Sequence, residues 1–93
     1  MAIEEIEWNA EKNQFLMEIR GVSFDLIAPL IREGDILDVY ENPNQERYPG
    51  QQIFVVRIDD YAYLVPFIEQ GGNVFLKTII PSRKATRKYL GME

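Results

Sequence analysis

Val74–Leu90, VFLKTIIPSRKATRKYL, is where the chain turns from strand to helix. Val74, Phe75, Leu76, Thr78, Ile79 and Ile80 are β-branched, aromatic or apolar, which suits a pleated, largely buried strand. Pro81 ends that strand because it has no N–H to give to a sheet ladder. Ser82 then predicts a short final helix, its hydroxyl accepting a backbone N–H two or three residues on. Lys77, Arg83, Lys84, Arg87 and Lys88 bring five cations and no acid to the stretch. Arg83 and Arg87, four apart, share a helix face and could grip a phosphate bidentately. The plainer reading of the same pattern is a solubilising helix face. A basic helix start fixed to the end of a buried strand predicts a rigid anion site.

Working back, Gln51–Ile58 and Tyr61–Ile68 are near-continuously apolar and are separated by Asp59-Asp60, a two-residue hairpin spacing. Gly71-Gly72 marks a second tight turn. Neither linker can carry a parallel crossover, so 51–58, 61–68 and 74–80 should be consecutive antiparallel strands. Pro66 belongs at an edge or a bulge. Asn42–Gly50 is dense in turn formers and reads as an exposed loop. Ile36–Glu41 and Ile3–Trp8 read as further strands. Between those two, Asn9 caps a helix over Lys12–Arg20 that should bury Phe15, Leu16 and Ile19 and end at a left-handed Gly21. Ser23 caps a second helix burying Phe24, Ile27, Ala28 and Ile31. Pro29 predicts a kink or restart there, and Gly34 closes it. The order β-α-α-β-β-β-β-α makes one α+β domain over 1–93, with helices packed on an antiparallel sheet and a short C-terminal helix.

Composition bounds the chemistry. The chain has 93 residues, 46% of them apolar, enough for one core that buries roughly two-thirds of the unfolded surface. No apolar run reaches the length of about 18 residues needed to span a membrane, and the acidic start MAIEEIEW lacks the basic region of a signal peptide. With no cysteine either, the expected location is the cytoplasm. The absence of histidine excludes Ser–His and Cys–His nucleophile pairs and the usual zinc sites. No cofactor or metal motif occurs, and Asp59-Asp60 reads as a turn rather than a metal pair. The net charge of −5 is uneven: residues 1–60 hold 13 acids against 5 bases, residues 61–93 hold 2 against 5. That split predicts a basic site on an acidic body, or an acidic face that meets a basic partner. Lys77, alone on an apolar strand, either snorkels to an edge or enters the anion site. Trp8, Tyr61 and Tyr63 read as core or rim packing ahead of base-stacking platforms.

Trp8-Asn9-x-x-Lys12-Asn13, Arg20-Gly21-Val22-Ser23-Phe24 and Ile79-Ile80-Pro81-Ser82-Arg83-Lys84-Ala85-Thr86 occur in that order, with Glu46-Arg47 before the strand meander. Together they resemble the BrnT-type toxins of bacterial type II toxin–antitoxin pairs, over essentially the whole chain. Arg20 stands where that family has a histidine, and Asn9 where it has an aspartate. The resemblance implies a RelE-like fold and a cytoplasmic, metal-independent mRNA endoribonuclease that needs no cofactor and inhibits translation and growth. It also implies neutralisation by a cognate antitoxin of ribbon-helix-helix or helix-turn-helix type, no membrane partner, and room for a homodimer.

RNA supplies its own 2′-OH nucleophile, so the implied site works by alignment and charge. Arg83, with Arg57 or Arg47, would offset the phosphorane's charge, and Lys84 or Lys77 would assist proton movement. The implied catalytic set is Arg83, Lys84 and Arg57. Lys12, Arg47, Lys77, Arg87, Lys88 and Trp8 would contact RNA. The alternative is a catalytically inactive toxin-like interaction module that binds a partner protein.

Overall fold

Helix caps fix where the chain leaves and joins the sheet. The computed structural model describes residues 3–91. After β1 (Glu5–Trp8), the Asn9 side chain accepts the Lys12 N–H at 2.9 Å and starts α1 (Ala10–Arg20). Gly21 closes α1 at φ +67°, a conformation that costs a side-chain-bearing residue strain. Ser23 caps α2 (Phe24–Arg32) through the Leu26 N–H at 3.3 Å. Of the kink or restart expected at Pro29, the restart does not occur: α2 is one helix across it. Asp25 and Pro29 are both exposed, so water can replace the donor that Pro29 lacks. β2 (Asp38–Glu41), β3 (Gln52–Ile58), β4 (Tyr61–Gln70), β5 (Asn73–Leu76), β6 (Ile80–Pro81) and α3 (Arg83–Leu90) complete the α+β domain.

The sheet runs β1-β5-β4-β3-β2, with β6 also on β4. The three-strand meander is antiparallel. β1, however, lies parallel to β5, so the sheet is mixed rather than wholly antiparallel. Two helices carry the chain from β1 at one edge to β2 at the other, and a connection that long leaves β1 free to pair either way.

The last strand is split in two. β5 pairs with β4 as far as Leu76↔Phe67, and β6 resumes at Ile80↔Leu64. Lys77, Thr78 and Ile79 thus oppose only Val65 and Pro66, a one-residue bulge. The Lys77 N–H donates to the Pro66 carbonyl at 2.8 Å. Pro66 has no N–H to return, and the bulge is what admits a proline to this central strand.

Alternation divides the sheet into two faces. Phe54, Val56, Val65, Phe67, Val74 and Leu76 point towards α1 and α2, where they pack with Leu16, Phe24, Ile27 and Ile31. All four residues expected in the core from α2 are buried, but α1 contributes only Leu16. Phe15 and Ile19 were expected inside and are 50% and 53% exposed. The inward row of α1 is instead Asn13, Leu16 and Arg20, spaced three and four apart. The Asn13 side-chain carbonyl accepts the Phe24 N–H at 2.7 Å, its amide donates to Asp25, and the Arg20 guanidinium donates to the Ile79 carbonyl. Polar latches at Asn13 and Arg20, and not Phe15 and Ile19, flank Leu16 where α1 meets the core. On the opposite face, α3 packs over Val55 and Ala62 through Ala85.

Candidate functional site

α3 is held at both ends. The Ser82 hydroxyl caps it by accepting the Ala85 N–H at 3.0 Å, and the Ser82 N–H donates to the Ala62 carbonyl at 3.0 Å. Buried Thr86 donates its hydroxyl to the Ser82 carbonyl at 2.8 Å and accepts the Ala62 N–H at 2.9 Å. At the far end the Tyr89 hydroxyl donates to the Asp38 carboxylate on β2. Small residues at Val55, Ala62 and Ala85 let the helix settle close to the strands between these latches.

Covering only part of its face, α3 leaves a groove beside it. One depression, of about 420 Å³, lies between β2 and α3 and is lined by Tyr40, Leu64, Ser82, Lys84 and Lys88 among others. A second, of about 330 Å³, is mainly apolar and is lined by Tyr48, Ile53, Leu64, Pro66, Lys77 and Ile80 among others. Leu64 lines both, so they adjoin there as a two-lobed trough on this face, with Lys84 and Lys88 in one lobe and Lys77 in the other. Tyr40 and Ile80, 37% and 39% exposed, are apolar surface that this fold leaves uncovered.

Electrostatics at the β2 side centre on the Asp38–Tyr89 pair. The Tyr89 hydroxyl, then the Val39 N–H, hold the Asp38 carboxyl below its ordinary 3.8, with the Lys88 charge adding to the effect. The reciprocal hydrogen bond, with burial and the Asp38 charge behind it, pushes Tyr89 up to about 12. Burial, then the Asp38 charge, also raises Tyr40.

Of the cations singled out in the sequence, the structure brings Lys84 and Lys88 to one depression and Lys77 to the other. Arg83 and Arg87 are exposed on α3 outside both linings. Arg57 lies at the β3–β4 hairpin, where it donates to the Asp59 carbonyl at 2.7 Å and pairs with Asp60 at 3.0 Å. Arg47 sits in the 42–51 loop over the Tyr48 ring, and Lys12 on α1 over the Phe15 ring. Trp8 stacks on Phe24 at 5.8 Å against the helix-side core. The nine residues therefore do not form one cluster. Asp38, Tyr40, Leu64 and Tyr89 escaped the sequence reading. The only signal for them was the strand alternation of Asp38 and Tyr40, which puts both on the α3 side.

Without histidine or cysteine, an acyl-transfer nucleophile here would have to be a serine or threonine hydroxyl with a lysine as base, and the two must lie within hydrogen-bond reach. Ser82 is the groove's serine. Among the described residues its hydroxyl bonds only the Ala85 N–H, and Lys84 and Lys88 are exposed. Ser23 is 7% exposed and capped into α2. No group of three or more acids among the described residues is placed to hold a metal ion, and none of their helices is long and apolar enough to cross a membrane.

A family model described as Peptidase S24-like matches residues 2–87. No curated protein and no solved structure gives a significant match. The family match overturns the resemblance to BrnT-type toxins, and with it the toxin–antitoxin role, the RNA-cleaving activity and the toxin-like interaction module. Several of the residues that carried that resemblance hold this fold together. Asn9 and Ser82 are caps, Gly21 is a left-handed helix end, and Asn13 and Arg20 are latches. Such residues report how two helices join a sheet, not what the sheet does.

Proposed function

The chain belongs to the Peptidase S24-like family over residues 2–87, and from that premise we propose that its open sheet face holds an extended segment of polypeptide without cutting it. The observation that carries this is the trough meeting at Leu64. Its floor of Tyr40, Ile53, Leu64, Pro66 and Ile80 offers shallow apolar seats, and polar groups lie in both lobes. Concave, mostly apolar surface with a few placed polar groups is the general form of a ligand site. An extended chain fits it because successive side chains can point alternately into the floor and out to water.

Holding without cutting follows from Ser82. Its hydroxyl is engaged as the α3 cap, and the lysines beside it stand in solvent without a hydrogen bond to it. A nucleophile needs its base within about 2.6–3.2 Å. The test has two arms. A library of extended peptides is screened by fluorescence anisotropy, and the protein is treated with a serine-directed phosphonate while the peptides are checked for cleavage by mass spectrometry. The expected result is binding with no labelled serine and no cleavage. Phosphonate on Ser82, or cleaved peptide, overturns the non-cutting half; failure of every peptide to bind overturns the whole.

A further inference from the structure

The two lobes of the trough point to what it prefers. The chain is acidic overall at −5, yet Lys77, Lys84 and Lys88 are all exposed cations lining the trough. Among the described residues the one ion pair is Arg57–Asp60, away at the hairpin, none of the three lysines is paired with a carboxylate, and only Lys88 has its charge felt by one, Asp38. Two of them rest over aromatic rings, Lys77 over Phe75 at 5.1 Å and Lys88 over Tyr89 at 5.2 Å. A ring satisfies part of an ammonium's charge but accepts no conventional hydrogen bond from it, leaving its donors for a ligand. The one acid among the described residues of the two linings is Asp38, and its carboxylate already takes the Tyr89 hydroxyl and the Val39 N–H, the latter at 2.7 Å.

We propose that the trough selects acidic extended peptides, with an apolar side chain seated at Leu64, one carboxylate reaching Lys84 and Lys88, and another reaching Lys77. This rests on the polypeptide-binding reading above and adds the ligand's charge to it. Acidic peptides also suit the rest of the surface. Among the described residues the two linings hold three lysines against one acid, Asp38, so an acidic ligand is attracted there while the net −5 of the chain repels it elsewhere.

The experiment compares nine-residue peptides with a central Leu and either Glu, Gln or Lys at the flanking positions. Binding is measured for the wild type, the Lys84→Glu/Lys88→Glu double variant and an Arg32→Glu control. All three substituted residues are exposed, and Arg32 ends α2 on the other face of the sheet. The Glu-flanked peptide should bind most tightly. The double variant should weaken it by about tenfold, and raised salt should narrow the gap. Arg32→Glu should leave binding within about twofold, and melting curves should show all three proteins folded. If Gln- and Lys-flanked peptides bind as tightly as the Glu-flanked one, or the double variant binds unchanged, the charge selection is overturned and the polypeptide reading stands. If no peptide binds, the polypeptide reading itself falls. A single-stranded RNA of equal charge binding more tightly than any peptide, with the same loss in the double variant, would assign these lysines to nucleic acid instead.

Discussion

On the face covered by α1 and α2, Phe24, Phe54 and Phe67 are at most 2% exposed, and Phe54 and Phe67 stack with ring centroids 3.9 Å apart. On the opposite face α3 sets Ala85 over Val55 and Ala62, and Tyr40, Leu64 and Ile80 beside it remain open or half-open. Large side chains close the first face by filling volume. The second is closed only where hydrogen bonds at Ser82, Thr86 and Tyr89 pin a small helix down. Stability therefore concentrates on one face, and surface available to a ligand on the other. A fold of this size can spend one face this way because its net stability of about 5–15 kcal/mol rests on a single core.

The largest test of that division pairs a substitution on each face. Phe67→Ala should cost about 3–5 kcal/mol, close to unfolding the domain, because it empties a filled site that cannot collapse. Leu64→Ala removes a half-buried side chain from the trough and should cost about 1–2 kcal/mol while sharply weakening peptide binding. Urea denaturation gives both costs. Equal losses for the two variants would mean that the faces do not differ as described.

How α3 is pinned is sharpened by Thr86→Val, which keeps the volume and removes the hydroxyl. The buried Ala62 N–H then loses its acceptor, and a stranded buried donor costs about 1–3 kcal/mol. Amide exchange at Ala62 should accelerate more than at Val56, which belongs to the other face. If both accelerate together, α3 and the main core unfold as one unit and the two faces are not separable energetically.

The same division explains what could be read from the sequence. Caps and turns were legible because each is a local event: Asn9, Gly21, Ser23, Ser82 and the Gly71-Gly72 turn act within a few residues. The α2 core was legible because Phe24, Ile27, Ala28 and Ile31 repeat at helical spacing with no rival pattern. In α1 there was a rival, since Phe15 and Ile19 offered an apolar face, but Asn13 and Arg20 had long-range partners at Phe24 and Ile79 that spacing cannot show. Spacing could not choose between the two pairs four apart on α3: Arg83 and Arg87 were expected to share the site's face, whereas Lys84 and Lys88 line the depression. Asp38 and Tyr89 could not be placed together at all, being 51 residues apart and joined only by the way α3 crosses the sheet. The family was misread for a related reason: Asn9, Asn13, Arg20, Gly21 and Ser82, whose order along the chain suggested it, cap and latch the helices of this fold.

A smaller effect bears on Ser82. As a cap, Ser82→Ala should cost about 1 kcal/mol, and Ser82→Asn should recover most of that because its side-chain carbonyl accepts the same N–H. Melting curves of the three proteins decide it, alongside peptide binding. Binding that survives in Ser82→Asn keeps the residue in the architecture of the trough's wall. Loss of binding in the asparagine variant despite recovered stability would show that the hydroxyl itself meets the ligand.

The smallest effect is the pH dependence carried by the Asp38–Tyr89 hydrogen bond, small because both groups touch solvent. Asp38 is depressed below 3.8 in the folded chain, so its contribution is complete above that value and is lost as pH falls through the lower folded one. Tyr89 is raised from 10.0 to about 12, so its contribution is complete below pH 10.0 and is lost as pH rises towards about 12. Between the two ordinary values the pair adds a constant increment, and the wild type minus Tyr89→Phe difference in Tm should be flat there and shrink at both ends. Absorbance at 295 nm gives an independent reading. Among the five tyrosines, the latest to ionise should vanish in Tyr89→Phe and move to lower pH in Asp38→Asn, where neither the carboxylate's charge nor its full strength as an acceptor remains. Tyr40, also raised in part by the Asp38 charge, should shift the same way by less, since burial is the larger cause there. A Tm difference that held its size through pH 12 would mean that the hydroxyl contributes by packing alone. α3 would then be fastened to β2 by shape, as the other face is, and not by the bond.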